Sequence, residues 1–441
     1  MTARVFKAFK TQKPVVELLP GWLRWADGIA DTVVLLNSNG YRNDKYTRLP
    51  WILGIGSGPE YRGTGGKVFE ELREFSNSCN DWMFGFFSYE LKNQLERLSS
   101  KNPDYIGMPL CHFFSPGILI YPMGKYEIMI GSLVGEGEWP SPEGVFGDIS
   151  GIVENAGGSH HKHGGKIRQR VNRKKYIDRV RDIRAHIQAG DIYEMNYCIE
   201  FFSEHASADP LMMYQKLNDI SLPPFSCFYK LSDKYLVSAS PERFLKKTGN
   251  GIISQPVKGT GPRGKDHAED KLLREKLYND PKERSENVMI VDLVRNDLAR
   301  TAQKDSVKVE ELFGIYSFRQ LNHMISTVTS TLGPEHDFID AIKNAFPMGS
   351  MTGAPKHSAM KLIDLYEDTC RGLYSGSVGY ISPEKDFDLN VVIRSILYNK
   401  KNNYLSFMAG SAITIGSDPE REYEECLLKA KAMAEASGFD F

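Results

Sequence analysis

Short apolar runs alternate with turn residues through the first 150 residues, and this pattern most constrains the fold. Runs such as TVVLLNS and GILIYP have the length and composition of strands. Later in the chain, apolar residues recur every three or four positions from Tyr176 to Ile187. Gly190 follows them, which predicts a helix that ends at this glycine. Strand-like and helical segments are mixed without regular βαβ alternation, so the sequence predicts an α+β fold.

The overall composition is ordinary for a globular enzyme and argues against several other classes of protein. Of 441 residues, 41% are hydrophobic and 25% are charged, and the formal net charge is −1. A net charge near zero gives no long-range field that would attract nucleic acid or an anionic membrane. No apolar run approaches the roughly 18–20 residues that a membrane-spanning helix needs. The sequence therefore predicts neither a nucleic-acid partner nor a membrane partner.

The N-terminus and the cysteines both favour a cytoplasmic location. The segment MTARVFKAFKTQKPVVELL has basic residues but lacks the long apolar core and the cleavage site of a secretory signal. The six cysteines are scattered, without CxxC or zinc-type spacing. This scatter predicts reduced thiols rather than disulfides or a metal site.

A glycine-rich polar segment, ENAGGSHHKHGG at 154–165, divides the chain. It lacks apolar periodicity, which predicts a flexible linker between a strand-rich N-terminal subdomain, 1–153, and a catalytic region, 166–441. His160, His161 and His163 lie in this segment and could chelate a metal. Because a metal site needs orienting partners, a solvated linker is the favoured interpretation.

The stretch from Ser238 to Gly264 contains the first candidate catalytic pair. Glu242 in SPERF lies sixteen residues before Lys258 in PVKGT, with a turn, KKTGNG, and a short apolar run between them. This order predicts a hairpin that brings the two side chains near each other. A carboxylate and an amine at close range can exchange protons or activate a nucleophile. An ordinary exposed cross-strand pair would give the same spacing.

Two predicted helices carry the same pair of glutamates. Glu283 and Glu286 lie three apart in KERSENVMIVDL, and Glu422 and Glu425 lie three apart in EREYEECLLKA. Residues at this spacing share one helix face, so each helix presents two carboxylates together. Hard oxygen ligands suit Mg²⁺, which would relieve the repulsion between them. Two solvated helix faces, with Glu425 paired to Lys429, are the alternative.

Two polar residues lie within otherwise apolar runs. Arg394 lies near the end of FDLNVVIRS, and His323 alternates with apolar neighbours in QLNHMISTVTS. A buried arginine is costly unless it is paired, so Asp388 is a candidate partner. A lone histidine on a strand is most often a structural core residue. The spacing alone leaves both roles open.

Five motifs follow one another between Tyr193 and Lys429: SPERF, PVKGT, ENVMIVDLVRND, GAPK and GYISPEKDFDLNVVIRS. In this order they resemble the motifs of the chorismate-utilising enzymes. That family includes anthranilate synthase component I, aminodeoxychorismate synthase component I, isochorismate synthases and salicylate synthases. The resemblance covers more than half of the chain. It implies an anthranilate-synthase-component-I-like fold, with two large antiparallel β-sheets packed face to face, helices outside and the active site between the sheets.

One position discriminates between branches of this family. Anthranilate synthases typically read PIAGT where this chain reads PVKGT, whereas aminodeoxychorismate synthases typically read PIKGT. With lysine at position 258, the chain resembles the aminodeoxychorismate synthase branch, which serves the synthesis of p-aminobenzoate and folate. Anthranilate synthase and isochorismate synthase remain the alternatives within the family. A catalytically silent paralogue that binds chorismate or tryptophan is the alternative from another class.

The resemblance also implies roles for individual residues. Lys258 would be the nucleophile and Glu242 a proton shuttle, with His323 near the leaving hydroxyl. The four glutamates would hold Mg²⁺, with Glu286 and Glu425 in direct contact and Glu283 and Glu422 acting through water. The remaining implied site residues all bind substrate: Thr260, Tyr380, Arg394, Gly410, Ser350 and Lys356. The family usually reads glycine where this chain has Ala412, so the chain departs from the family pattern at this position.

The implied reaction and partners follow from the same resemblance. The neutral amine of Lys258 would attack the 2-position of chorismate as the 4-hydroxyl leaves, and ammonia would then attack the 4-position and expel the lysine. Burial beside Mg²⁺ is expected to lower the pKa of Lys258. No G-x-C-x-G nucleophile signature is present, so ammonia is expected from a separate class I glutamine amidotransferase subunit. LLNSNG, with Ser38, is similar to a tryptophan-binding motif, although a plain strand end is the favoured interpretation.

Overall fold

The structure is a computed structural model that describes residues 3–41, 43–134, 139–152 and 166–439. Within these ranges the strands are β1 (Ala3–Lys10), β2 (Thr32–Asn37), β3 (Trp51–Gly63), β4 (Met83–Phe87), β5 (Cys111–Gly124), β6 (Glu127–Val134), β7 (Arg168–Gln169), β8 (Glu194–Ser203), β9 (Phe225–Leu231), β10 (Lys234–Ser240), β11 (Arg243–Thr248), β12 (Gly251–Gln255), β13 (Val257–Pro262), β14 (Lys308–Ser317), β15 (Leu321–Thr331), β16 (Gly353–Ala354), β17 (Ser377–Ile381), β18 (Phe387–Asn390), β19 (Ser395–Asn399) and β20 (Tyr404–Ile413). The helices are α1 (Val15–Ile29), α2 (Val68–Cys79), α3 (Lys92–Leu95), α4 (Pro142–Ser150), α5 (Arg173–Ala189), α6 (Pro210–Ser221), α7 (His267–Asn279), α8 (Pro281–Ala299), α9 (Phe338–Ala345), α10 (Lys356–Tyr366) and α11 (Pro419–Ser437).

The strands form two long antiparallel runs that share β5. The first run has the order β1-β6-β5-β3-β2-β9-β10-β19-β20-β8, with β7 and β16 against β8. The second has the order β5-β4-β17-β18-β11-β12-β15, and β13 and β14 also pair with β15. This arrangement confirms the predicted α+β class and the two antiparallel sheets.

Side chains that alternate along the strands of the first run build two separate cores. On β8, Tyr197 and Ile199 belong to a core shared with α5, α6 and α11. Cys198 and Phe202, on the opposite face, belong to a second core that includes residues of the second run. Because successive residues of a strand point to opposite faces, one strand can serve both cores. Helices α5, α6 and α11 therefore cover the outer face of the first run, and the second run covers its inner face.

The strands before and after the predicted linker are hydrogen-bonded to each other. β2 pairs with β9, and β4 pairs with β17. The predicted linker at 154–165 lies outside the described residues, as do His160, His161 and His163. The division into 1–153 and 166–441 stays a prediction.

The two helices with paired glutamates begin at N-caps that the sequence encodes. The Asp280 carboxylate accepts from the backbone N–H groups of Lys282 and Glu283 at the start of α8. The Asp418 carboxylate accepts from the N–H of Arg421 at the start of α11, and a proline follows each cap. α8 packs on β13 and β15, and α11 packs on β20. Each run thus contributes one glutamate pair.

The run FDLNVVIRS does not form one continuous strand. β18 pairs in the second run and β19 pairs in the first, so the chain crosses between the runs at 391–394. Arg394 has φ of 51°, in the left-handed region that disfavours a side chain with Cβ. The need to change partners, and not a local sequence preference, ends the strand here. The crossing puts Arg394 between the two runs.

Other predicted elements agree with the structure. The helix predicted from Tyr176 to Ile187 is α5, and its C-cap is Gly190 with φ of 86°. The six cysteines are all free. Across the described ranges, the helices include none with the length and apolar character that crossing a membrane requires.

Candidate active site

A cavity of about 430 Å³ lies between the two runs, where α8 and α11 approach each other. Most of the residues predicted for the site line it: Lys258, Glu242, His323, Thr260, Arg394, Gly410, Ser350, Glu286, Glu425, Glu283 and Glu422. Its volume is in the usual range for a small-molecule pocket. The tertiary structure therefore gathers residues that lie up to 183 positions apart, from Glu242 to Glu425.

The predicted hairpin brings Glu242 beside the strand that carries Lys258. β11 and β12 pair through a tight turn at Gly249, and Arg243 lies opposite Gln255. The Glu242 carboxyl accepts from Ser350 Oγ at 2.7 Å and is 3% exposed. Burial raises its pKa to about 7, although Ser350 and Lys258 act in the opposite direction. A carboxyl of this kind can donate or accept a proton near neutral pH.

Lys258 forms a buried ion pair that the sequence did not predict. Its Nζ lies 2.5 Å from Glu194 Oε1, and Glu194 is only 1% exposed. Burial disfavours the ammonium, but Glu194 and Glu286 outweigh this effect, and the pKa of Lys258 is raised. Without a metal, the charges of Glu194 and Glu286 thus outweigh the effect of burial. The lower pKa expected for burial beside Mg²⁺ stays a prediction. The available signal was Glu194 itself, an acidic residue that begins a strand otherwise rich in apolar side chains.

The lysine segment also approaches α8 closely. Gly259 has φ of 94°, and a Cβ on it would lie 3.1 Å from Glu283 Oε2 and 3.0 Å from Met324 Cβ. A glycine is therefore required between the lysine and Thr260. This contact fixes the PVKGT strand against the glutamate helix.

The four glutamates surround a cation that belongs to the chain. Lys282 Nζ lies 3.7 Å from Glu286 Oε1 and 3.6 Å from Glu422 Oε1. Burial acts to lower the pKa of Lys282, but the charges of the four glutamates outweigh this effect and raise it. Glu286 and Glu422 contribute most to the rise. Glu286 is 7% exposed, and its Oε1 has no hydrogen-bond partner. Burial raises its pKa to about 7.

The chemical type of these carboxylate ligands suits a hard divalent cation. Their donors are oxygens, an ammonium already lies among them, and one buried oxygen is unsatisfied. In the described part of the chain, no three His, Cys, Asp or Glu side chains are grouped closely enough to hold a metal ion. The ammonium of Lys282 lies between the carboxylates of α8 and α11 instead.

The other two glutamates differ in their surroundings. Glu425 pairs with Lys429 at 2.6 Å, as the sequence alternative suggested. Burial raises its pKa, but Lys429 outweighs this effect, and the net shift is downward. Burial raises the pKa of Glu283 despite the nearby Lys282. Their individual metal contacts stay predictions.

Arg394 does not form the ion pair with Asp388 that the sequence leaves open. Asp388, its candidate partner, instead pairs with Arg243 at 2.8 Å and Lys246 at 3.2 Å. Within the described residues, the Arg394 side chain makes no hydrogen bond or ion pair. Burial lowers its pKa, with Tyr374 and Glu425 acting in the opposite direction. An unpaired guanidinium facing a cavity is suited to bind a carboxylate from a ligand.

His323 and Thr260 lie beside Arg394 in the cavity wall. His323 Nδ1 is 3.2 Å from Thr260 Oγ1, and the two residues are opposite each other in the β13–β15 ladder. Burial, Arg394 and Lys429 lower the pKa of His323 to about 3. The imidazole is therefore neutral near pH 7 and can donate or accept hydrogen bonds.

Gly410 packs so closely on β8 that a side chain is impossible there. A Cβ at this position would lie 2.3 Å from the Tyr197 carbonyl oxygen. The Gly410 carbonyl accepts from Lys429 Nζ at 2.9 Å. Ala412, two residues along β20, lines the cavity. Ala412 therefore forms part of the wall at a position where the family usually has glycine.

Two predicted substrate contacts lie elsewhere. Tyr380 faces a smaller cavity of about 60 Å³, which Ser38 also lines, because β17 is paired between β4 and β18. Lys356 pairs with the buried Asp297 at 2.6 Å at the start of α10. The tyrosine that lines the main cavity is Tyr374, which the sequence analysis missed. Both tyrosines lie in one glycine-rich segment, so only the path of the chain distinguishes them.

Comparisons with known proteins agree with this geometry. The sequence profile described as "chorismate binding enzyme" matches residues 47–435. Anthranilate synthase component 1 from Thermus thermophilus is 33% identical over 362 residues, which cover 80% of this chain and 76% of that protein. Aminodeoxychorismate synthase component 1 from Klebsiella aerogenes is 39% identical over 258 residues. That match covers 58% of this chain and little more than half, 56%, of the relative.

Solved structures share the fold. Anthranilate synthase component I from Streptococcus pneumoniae superposes with a TM-score of 0.70 at 24% identity, over 98% of this chain and 92% of that one. The menaquinone-specific isochorismate synthase from Escherichia coli gives a TM-score of 0.77 at 16% identity, over 99% and 95% of the two chains. The profile match spans most of the chain and includes every residue that lines the main cavity. The chain therefore belongs to the family of chorismate-binding enzymes.

Proposed function

We propose that this protein is the synthase subunit that converts chorismate and ammonia into 4-amino-4-deoxychorismate, for p-aminobenzoate and folate synthesis. The observation that carries the proposal is Lys258, an amine in the cavity wall with acidic side chains around it. Family members that make anthranilate typically have alanine at this position. Of the relatives named above, the aminodeoxychorismate synthase has the higher identity over its matched segment.

The charges of the cavity suit the two carboxylates of chorismate. Arg394 would bind the enolpyruvyl carboxylate, with the Tyr374 hydroxyl beside it. The ring carboxylate would face the glutamates, which requires a metal between like charges. Bound there, Mg²⁺ would neutralise and orient that carboxylate. Glu286 and Glu425 would hold it directly, and Glu283 and Glu422 through water.

The carboxyl of Glu242 suits it to move protons during the reaction. With a pKa near 7, it can protonate the departing 4-hydroxyl so that water leaves. In the same event the Lys258 nitrogen bonds to the 2-position. Ammonia then attacks the 4-position and returns a proton to Glu242, while the carbon–lysine bond breaks. Two displacements at allylic positions retain the configuration at the 4-position.

The protein's own cysteines do not suit glutamine hydrolysis. Burial raises the pKa of Cys198 to about 11 and that of Cys426 to about 12, which keeps both as thiols. A separate class I glutamine amidotransferase subunit would supply ammonia, consistent with the "component 1" names of relatives. The free thiols are consistent with the reducing cytoplasm.

Tryptophan binding near Ser38 has little support. The cavity beside Ser38 is about 60 Å³, whereas small-molecule pockets usually measure about 300 Å³ or more. Asn37 and Asn39 are hydrogen-bonded to each other at the end of β2. This arrangement favours the simpler interpretation of a strand end.

Anthranilate synthase is the second candidate. It is favoured by the relative from Thermus thermophilus, whose match covers more of both chains than the match to the Klebsiella aerogenes protein. The two reactions differ in the carbon that ammonia attacks. Lys258 would block attack at the 2-position by occupying it, which favours the first candidate.

The deciding experiment is to identify the product. The purified chain is incubated with chorismate, Mg²⁺ and ammonium chloride at pH 8.5, and products are separated and weighed by mass spectrometry. We expect 4-amino-4-deoxychorismate, and no product with glutamine as the nitrogen source. Anthranilate with pyruvate would establish the second candidate instead. Product formation from glutamine alone would contradict the separate amidotransferase.

A further inference from the structure

The geometry points to Glu194 as a further catalytic residue, which holds Lys258 in the cavity, takes its proton when the amine attacks, and returns it when the amine leaves. This inference rests on the proposed role of Lys258. Glu194 lies outside every motif that relates the chain to its family, and only the folded chain brings it to the lysine.

The pair is built as a fixed contact. Glu194 Oε1 lies 2.5 Å from Lys258 Nζ, and the two residues are 1% and 8% exposed. The backbone of Glu194 is held because β8 pairs with β16 at Ala354. Glu194 Oε2 is buried and has no hydrogen-bond partner among the described residues. One oxygen of Glu194 thus accepts from the lysine, and the other lacks a hydrogen bond. A buried oxygen without a hydrogen bond costs free energy of folding, which is typical of a group with a role in the site.

Other carboxylates face Lys258 from every surrounding element but are differently engaged. Glu242, before β11, accepts from Ser350. Glu283 and Glu286 on α8 and Glu425 on α11 act on Lys258 only through their charge. Within the described structure, Glu194 alone is hydrogen-bonded to Nζ. It is therefore the group to which the ammonium proton can pass directly.

The proton balance separates the tasks of the two buried carboxyls. The cycle starts from the neutral amine of Lys258, the Glu194 carboxylate and the protonated Glu242. As the nitrogen–carbon bond forms at the 2-position, the lysine nitrogen becomes a secondary ammonium whose proton passes to Glu194, and Glu242 protonates the departing hydroxyl. As ammonia bonds to the 4-position, its surplus proton passes to Glu242. The carbon–lysine bond breaks, and Glu194 returns the proton to the lysine nitrogen. The sum is chorismate plus ammonia giving the amino product and water.

The contact itself can be tested without the reaction. Cyanate carbamylates neutral amines, and peptide mass spectrometry gives the rate at Lys258 between pH 6 and 9. Glu194→Gln removes the hydrogen-bonded counter-ion of Lys258, so the pKa of the lysine should fall toward the value that burial and the remaining carboxylates set. We expect carbamylation at pH 7 to rise at least about tenfold. Glu200→Gln is the matched control, a buried glutamate on the same strand that is bonded to Tyr404 and Ser406. An unchanged rate in Glu194→Gln would overturn the contact.

The proton role is tested with chorismate, ammonium and Mg²⁺. We expect Glu194→Gln to lower kcat about 100-fold with KM within threefold, and Glu194→Asp to restore part of it. The glutamine variant should accumulate a Lys258 peptide heavier by chorismate less water, because the leaving amine lacks its proton. Wild-type kcat in Glu194→Gln would overturn this role. If the wild-type protein forms no aminodeoxychorismate, the proposed function fails, while carbamylation still decides the contact.

Discussion

The catalytic cavity and the buried Arg371–Glu367 cluster adjoin each other, and they treat charge in opposite ways. Arg371 donates to both carboxylate oxygens of Glu367, at 2.9 and 2.6 Å, and to the carbonyls of Met351 and Asn196. Glu367 also accepts from the Cys198 N–H at 2.9 Å. Every strong polar group of this cluster has a partner inside the protein.

The cavity differs from this cluster because several of its charged groups lack hydrogen-bond partners. Arg394 has no protein partner within the described chain, and one oxygen each of Glu194 and Glu286 is buried without a hydrogen bond. Met351 and Asn196 line the cavity and also accept from Arg371. Charged groups that are fully paired within the protein therefore support the cavity wall. Charged groups without such partners lie at the surface that would contact a ligand. This contrast predicts that substitutions in the cluster reduce stability, whereas substitutions in the cavity reduce activity.

The largest expected effect is on activity, from Lys258→Ala. We expect formation of 4-amino-4-deoxychorismate to fall by about 1,000-fold or more, because the covalent route is lost. Ammonia could then reach the 2-position, so anthranilate is the product to seek. The measurement is product analysis by mass, with thermal unfolding as the check that the fold is intact. Near wild-type formation of the amino product would contradict the covalent mechanism.

The second effect is on stability, from Arg371→Met. Removing one partner of a buried pair leaves Glu367 uncompensated, which costs about 3–5 kcal/mol. Urea unfolding of the two proteins measures this difference. The double variant Arg371→Met/Glu367→Leu should recover part of the loss, since no buried charge then remains. Equal stability of wild type and the single variant would remove the contrast with the cavity.

The third effect is on metal dependence, from Glu286→Gln. Second-shell ligand changes typically cost about 10–100-fold, and a direct ligand should cost at least as much. Titration of activity and of calorimetric binding with Mg²⁺ measures the shift. Glu283→Gln and Glu422→Gln should have milder effects if they act through water. Unchanged Mg²⁺ dependence in all of these variants would mean that the carboxylates are not ligands.

The fourth effect is the pH dependence of stability that arises from Glu242. Its pKa is about 7 in the folded protein, above the ordinary value of 4.5, so the folded state binds the proton more tightly. The stabilisation is present at low pH and is lost as pH rises through 7. This group should contribute a fall of about 2 kcal/mol between pH 5 and 7. Urea unfolding at both values should show a smaller fall in Glu242→Gln. Identical slopes would mean that Glu242 does not titrate in this range.

Local sequence patterns were sufficient for much of the fold. The period of α5 and the tight turn before Gly251 depend on residues close in sequence. The paired glutamates were found for the same reason, since three residues always span one helix face. The sequence analysis chose Tyr380 and not Tyr374 for the main cavity, because these tyrosines lie six positions apart and have similar neighbours. Only the strand order sends Tyr374 to the main cavity.

The sequence by itself determined which chemical groups are present: a lysine in PVKGT, a glutamate in SPERF and two carboxylate pairs on helices. The tertiary structure decided their state. It buried Glu242 enough to raise its pKa and placed Glu194 against Lys258. It also left Arg394, where the chain crosses between the runs, with no ion-pair partner among the described residues. Burial and distance set the energy of a charge, and both depend on contacts between segments far apart in sequence.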